Sequence, residues 1–183
     1  MNMCASIDAD FRSRVQTESG QDMAQCYQCG KCTAGCPYAF AYDISVSQMM
    51  RLVQSGRKEA ALSAKSLWMC ATCETCTTRC PNGIDVARVM DVLRHMSRRE
   101  GFAAASAVKT FWDCFLDSVR NHGRVFELGL MAGYVARTGR FWTDMDLAPR
   151  MLPKGKMSFL PHAIVGKDEV QKIFMRFQER SRT

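Results

Sequence analysis

The sequence predicts an all-α protein folded around two cysteine loops, and three observations carry that reading. Eight of the 10 cysteines fall into two runs of one spacing, C-x2-C-x2-C-x3-C-P. The segments between and after the runs repeat their apolar residues at helical intervals. No segment of any length alternates apolar and polar residues as a half-buried strand would. The 183 residues, 47% of them apolar, suit one domain of ordinary size or a small core with an appended helical arm.

Residues 1–22 read as a flexible N-terminal tail, which leaves Cys4 in a frayed end. The first cysteine run follows, as Cys26, Cys29, Cys32 and Cys36-Pro37. Between the runs lie 33 residues, Pro37 to Met69. In them Ser45-Val-Ser-Gln48 has the form of a capping box. Val46, Met49, Met50 and Val53 then recur on one helical face, and Gly56 stands as the stop. A second short helix fits Lys58 to Lys65. The second run is Cys70, Cys73, Cys76 and Cys80-Pro81, offset from the first by 44 residues. Asp85 caps the next helix, whose buried face holds Val86, Val89, Met90 and Leu93. The methionines on these stripes suit irregular core gaps.

Gly101 marks a break. Beyond it Ala104, Val108, Phe111, Phe115 and Val119 form a stripe, with Trp112 and Leu116 beside it. Cys114 falls on the same helix and reads as a small apolar residue rather than a ligand. After His122-Gly123 a further helix fits Arg124 to Arg137, where Gly129 and Gly133 suit close helix packing. Thr138 to Lys167 carries Pro149, Pro153 and Pro161 and reads as extended. A last amphipathic helix starts near Asp168, with Val170, Ile173, Phe174 and Phe177 on one face. The domain plan is therefore a 1–22 tail, a 23–100 cysteine-loop domain, and a 101–183 extension suited to docking in a complex.

The spacing of the cysteines has a chemical reason. A [4Fe–4S] cubane needs one thiolate at each of four iron corners. Gaps of two residues let a tight loop reach three corners while its N–H groups turn toward the sulfurs. The fourth cysteine comes from elsewhere, and the proline after it turns the chain away. On the pattern of two-cluster ferredoxins, the fourth cysteine of each run serves the other cluster. Cys26, Cys29, Cys32 and Cys80 then hold one cubane, and Cys70, Cys73, Cys76 and Cys36 hold the other. Structural zinc usually takes two C-x2-C pairs, and a disulfide framework goes with a secretory signal, so both are weaker readings. The runs differ in their neighbours: Gly30, Lys31 and Gly35 in the first, Glu74 and Arg79 in the second. Different midpoint potentials are expected, with no order assigned.

Composition excludes other classes. No apolar stretch approaches the roughly 18 residues of a membrane span. Met1 to Phe11 carries Asp8 and Asp10 and no apolar core, so no secretory signal is read and a cytoplasmic location is expected. The net charge is +7 and gathers at the C-terminal end, where residues 120–183 hold 12 Lys/Arg against 6 Asp/Glu. That excess suits solubility, an anionic surface or an acidic protein partner. No basic run or aromatic-interleaved repeat points to nucleic acid. His95, His122 and His162 have no metal spacing.

A wire needs a source and a sink, and neither is encoded. There is no G-x-G-x-x-G for a flavin or nicotinamide, no nucleophile motif, and no Cys-Cys dipeptide. The chain reads as an electron relay that lacks a catalytic residue of its own.

The paired runs resemble the α-helical ferredoxin family. The flanking segments Asp43-Ile-Ser45, Met49-Met50-Arg51-Leu52-Val53, Lys65-Ser66-Leu67-Trp68-Met69-Cys70 and Cys80-Pro81-Asn-Gly83-Ile84-Asp85-Val86 are more specific. With Leu152-Pro-Lys-Gly155-Lys156 and Leu160-Pro161-His162, they are similar to the family of heterodisulfide reductase C subunits, over roughly residues 23–180. The resemblance implies an α-helical ferredoxin core with two [4Fe–4S] clusters. It also implies an oxidoreductase complex of several chains. In it the A-type chain, which carries flavin and iron–sulfur centres, supplies electrons, and the B-type chain, which carries tandem-cysteine clusters, reduces a disulfide. An iron–sulfur subunit of another flavoprotein dehydrogenase (succinate, fumarate or glycolate type) and a free-standing ferredoxin-like carrier are the alternatives.

Overall fold

A computed structural model describes residues 7–102, 107–140, 158 and 160–180, and every regular element among them is helical. The chain divides into two compact units, Met1–Ser106 and Ala107–Thr183. The division falls a few residues beyond the break expected at Gly101.

In the first unit, α1 (Ala9–Ser19) occupies the segment expected as a tail. Asp8 caps it by accepting from the N–H groups of Asp10 and Phe11, both at 3.0 Å. Phe11, Val15 and Ser19 lie four residues apart on one face and are buried. Local periodicity does not reveal this helix, because only two apolar residues, Phe11 and Val15, mark its buried face. The entering chain is fixed by a backbone bond from Asp8 N–H to the Gly56 carbonyl, 2.9 Å. Gly56 has φ +66°, and a Cβ there would stand 2.6 Å from the Asp8 carbonyl oxygen, so this stop serves two segments at once. Glu100 adds ion pairs to Arg14 and to Lys58.

After a 3₁₀ turn at Met23–Gln25, the cysteine runs supply two one-turn helices, α2 (Lys31–Ala34) and α6 (Thr75–Thr78). Between them stand a 3₁₀ turn at Ala39–Ala41, α3 (Val46–Gln54), α4 (Lys58–Leu62) and α5 (Ser66–Met69). The long helix α7 (Val86–Arg99) closes the unit. The expected caps are present: Gln48 accepts from Ser45 N–H at 3.0 Å, and Asp85 accepts from Arg88 N–H at 3.0 Å. The predicted stripes of α3 and α7 are buried. They meet Phe11, Val15, Met23, Leu62 and Leu67 in one core, where Met49, Met50 and Met90 are at most 1% exposed. Ser97 is also fully buried, and its hydroxyl donates to the Leu62 carbonyl at 2.7 Å.

The second unit packs α8 (Ala107–His122) against α9 (Glu127–Thr138) and α10 (Lys167–Arg180). α9 begins three residues later than expected, where the Ser118 hydroxyl accepts from Phe126 N–H at 2.8 Å. Gly133 lies beside the Cys114 sulfur, 3.7 Å from where its Cβ would be, so one of the two spaced glycines serves helix packing. The face of α8 that is most buried holds Cys114 and Ser118, whereas Phe111, Trp112 and Leu116 keep 39–45% of their surface. In α10 the apolar stripe is only partly covered: Val170 and Phe174 are half-buried, whereas Ile173 and Phe177 each keep 58% of their surface. Ala104, Leu152 to Lys156 and most of the segment expected as extended lie outside the described residues, as does Cys4.

Phe11→Ala is expected to lower unfolding stability by about 3–5 kcal/mol. The measurement is the denaturant midpoint, and an unchanged midpoint would return residues 9–19 to the status of a tail.

Candidate functional site

The two cysteine runs repeat their backbone as well as their spacing. Gln28 and Thr72, 44 residues apart, have φ of 63° and 51°. Gly30 and Glu74, equally spaced, have φ of 76° and 60°. Among the described residues, every non-glycine residue with positive φ lies in these two runs. Such conformations cost on the order of 1–3 kcal/mol and persist where the surroundings fix them. Each left-handed turn starts a one-turn helix, α2 or α6, which carries the third cysteine.

Each run forms most of one cavity and contributes its last cysteine to the other. One cavity, with an empty volume of about 330 Å³, is lined by Cys26, Cys29, Cys32 and Cys80, with Met50, Ile84 and Val86 in its wall. The other, with about 340 Å³, is lined by Cys70, Cys73, Cys76 and Cys36, with Tyr42, Val46, Ala87 and Met90. All eight cysteines singled out by spacing are therefore brought to two cavities, and Cys114 lies on neither. The exchange of fourth cysteines brings α2 and α6 together. There the Arg79 side chain lies over Gly35, where an added Cβ would stand 2.3 Å from its Cδ. In each triplet the middle cysteine, Cys29 or Cys73, is exposed.

Four thiols in an apolar wall fit a group that supplies cationic corners and takes thiolate ligands. Burial pushes the Cys32 thiol up, against the Thr33 N–H that favours its anion. The Cys76 thiol is pushed up to about 11 by burial, with the Thr77 N–H opposing. Cys73 is exposed instead, and the Thr75 hydroxyl at 3.5 Å draws its thiol below the ordinary value. A ligand that displaces these protons relieves the cost of burying thiolates, because coordinated thiols are deprotonated outright.

Thr33 and Thr77 follow the third cysteine of each run and do parallel work. The Thr33 hydroxyl accepts from Ser47 N–H at 2.9 Å, in the first turn of α3. The Thr77 hydroxyl accepts from Ala87 N–H at 3.1 Å in the first turn of α7, and donates to Asp85 at 2.9 Å. Each loop is thereby anchored to the start of a long helix, whose positive end suits a bound anion. A Thr directly after the third cysteine in both runs was visible in the sequence. Tyr42 was not: no motif marks it, yet its hydroxyl faces Cys70 and Cys36, and burial with those neighbours pushes its phenol up. At the first cavity the Gln28 side-chain amide approaches the Cys26 sulfur at 3.5 Å.

Asp43 anchors the approach to the second run. Its carboxylate accepts from the N–H groups of Ile44, Lys65 and Ser66 at 2.9–3.0 Å, and from the Ser66 hydroxyl. This caps α5, which leads directly into Cys70. Burial works against the charge, but these donors outweigh it and hold the Asp43 carboxyl below its ordinary value.

Residues 22–84 match the 4Fe-4S dicluster domain. The matched segment includes all eight cysteines. Over about half of its length the chain is similar to curated heterodisulfide reductase C subunits. The C subunit of the H(2):CoB-CoM heterodisulfide,ferredoxin reductase of Methanothermobacter thermautotrophicus is 33% identical over 99 residues, 54% of each chain. The iron-sulfur C subunit of the CoB--CoM heterodisulfide reductase of Methanopyrus kandleri is 35% identical over 79 residues, 43% of this chain and 41% of that one. The C subunit of the Ferredoxin:CoB-CoM heterodisulfide reductase of Methanosarcina mazei is 36% identical over 91 residues, 49% of this chain and 55% of that one. The chain spans about half the length of the curated relatives it matches. Among the described residues, no helix is long and apolar enough to cross a membrane.

Asp43→Asn is expected to reduce stability above about pH 4 and to remove part of its acid dependence. A carboxyl whose pKa falls on folding contributes stability above its unfolded value, near 3.9, and loses it as pH falls through the folded value. Denaturant midpoints of wild type and variant should therefore converge as pH falls through the folded value, which lies below the ordinary one. A parallel offset at all pH values would contradict the charge's role.

Proposed function

We propose that this chain is the electron-transfer iron–sulfur subunit of a heterodisulfide reductase-type complex. In this reading Cys26, Cys29, Cys32 and Cys80 hold a first [4Fe–4S] cluster, and Cys70, Cys73, Cys76 and Cys36 hold a second. The observation that carries it is the lining of the two cavities, three cysteines from one run and the fourth from the other. Each cluster, when bound, supplies one-electron redox chemistry. The protein supplies the thiolates, an apolar wall, the Thr33 and Thr77 anchors, and the tight α2–α6 contact that keeps the cavities adjacent. Cys29 and Cys73 bring one side of each cavity to the surface, which suits electron exchange with other proteins.

The similarity to heterodisulfide reductase C subunits supports a place in a cytoplasmic complex of several chains. There the chain receives electrons from the flavin-containing A-type partner and passes them to the disulfide-reducing B-type partner. The catalytic site lies in the partners. The exposed apolar side chains of α10 and the basic character of residues 120–183 suit a role of the C-terminal region in docking.

Anaerobic affinity isolation from native cells with mass spectrometry tests the assignment. Recovery of a flavin-containing protein and a tandem-cysteine protein is the expected result. A different dehydrogenase, or the chain alone, would overturn it. The crossed ligand sets make a separate prediction. Cys36→Ala should remove the electron paramagnetic resonance signal of the second cluster and leave that of the first, and Cys80→Ala should do the reverse. Loss of the cluster of the residue's own run in either variant would replace crossed by uncrossed ligation.

A further inference from the structure

The repeat extends beyond the cysteines to the helices that clamp them, and there it breaks in one charge. On α3 the side-chain amide of Gln54 donates to the carbonyls of Met23 and Cys26, at 2.9 and 2.6 Å. On α7 the guanidinium of Arg94 donates to the carbonyls of Leu67 and Cys70, both at 2.7 Å. Met23 and Cys26 correspond to Leu67 and Cys70 at the 44-residue offset of the runs. Gln54 and Arg94 stand 40 apart, because four fewer residues join Cys80 to α7 than join Cys36 to α3. The same clamp thus holds the first cysteine of each triplet. It is neutral at the first cavity and cationic at the second.

We propose that Arg94 places the second cluster above the first in reduction potential, so that an electron reaching the first passes on to the second. This rests on the reading that both cavities hold [4Fe–4S] clusters. In the transfer the first cluster is oxidised by one electron and the second reduced by one, with no proton or further reactant required. A cation near a cluster favours the form carrying the added negative charge, and hydrogen bonding and net charge are established determinants of cluster potential.

Other groups do not reverse this order. Neutral donors occur at both sites, Gln28 at the first and Tyr42 and Thr75 at the second. Lys31 beside the first run, and Asp43 and Glu74 beside the second, favour the opposite order, and Arg79 lies over Gly35 between the runs. All four are exposed and screened by water and salt. The Arg94 side chain keeps only 23% of its surface. Asp91, at 3.2 Å from Arg94 and 44% exposed, offsets part of its charge from the far side without touching the Cys70 carbonyl clamp.

The test is an anaerobic redox titration of the full chain with its clusters, followed by electron paramagnetic resonance, with iron content measured on each sample. Cys73→Ser, which alters the second cluster's signal, assigns the waves. Wild type is expected to show two waves, the higher belonging to the second cluster. Arg94→Gln gives the second site the clamp of the first. It should lower that wave by about a tenfold change in the one-electron equilibrium, 59 mV, while Arg94→Lys retains most of the wild-type value. Gln54→Arg should raise the lower wave. Asp91→Asn should raise the higher one further.

Fully loaded Arg94→Gln with both waves unmoved, or with only the first cluster's wave moved, would overturn the proposal. So would a wild type whose higher wave belongs to the first cluster. If Arg94→Gln fails to load, Arg94→Lys and Gln54→Arg decide the matter in the same terms. Wild type that binds no iron would overturn the cluster reading itself, an outcome distinct from loaded clusters in the wrong order.

Discussion

Cys36 lies in the cavity of the second run and Cys80 in that of the first, and the rest of the first unit follows from that exchange. A fourth cysteine can cross only if the one-turn helices preceding it pass close to each other. α2 and α6 do so, with Arg79 laid over Gly35, a position where the two repeats carry their most different residues. The chain must then return from each crossing to cover the cavity from the other side. α3 and α7 provide that cover, and the hydroxyls of Thr33 and Thr77 bond to backbone N–H groups in their first turns.

This arrangement explains why a small core suffices. The cavity walls and the hydrophobic core share residues: Met50 and Met90 each line a cavity and are at most 1% exposed. A ligand held by the cysteines would therefore also tie together the elements that make the core, coupling occupancy to stability. α1 packs on α3 and α7, pinned by Asp8 at Gly56 and by Phe11 and Val15 in the core. Three non-glycine residues in left-handed conformation, all within the cysteine runs, mark where local strain is tolerated for the sake of the site.

The internal repeat also shows how two chemically similar sites diverge. The loops, their threonine anchors and their clamping helices are duplicated. The differences include glycine against glutamate at the left-handed turn, Gly35 against Arg79 where α2 meets α6, four additional residues carrying Tyr42, and glutamine against arginine at the carbonyl clamp. Only the last places a largely buried formal charge on the backbone of a cysteine. Two cavities with matching ligand sets thus acquire different electrostatic surroundings through substitutions both within and outside the cysteine motifs.

The all-α class, the eight cysteines, and the α3 and α7 stripes are legible in the amino-acid order alone. Spacing and helical period are local signals that need no knowledge of the fold. The caps at Ser45 and Asp85 are legible in the same way, since capping is settled within one turn. That residues 9–19 form a core helix follows from long-range packing. Two buried side chains gave too little periodicity to be read, and their partners lie far along the chain. Tertiary structure likewise brought Tyr42, Gln54 and Arg94 to the cysteines. The clamps bond to carbonyls 24 to 31 residues away, as between Arg94 and Cys70 or Gln54 and Met23, and no local pattern records such a partner. The exposure of Ile173 and Phe177 was decided in the same way, because an amphipathic period states that a face is apolar but not what covers it.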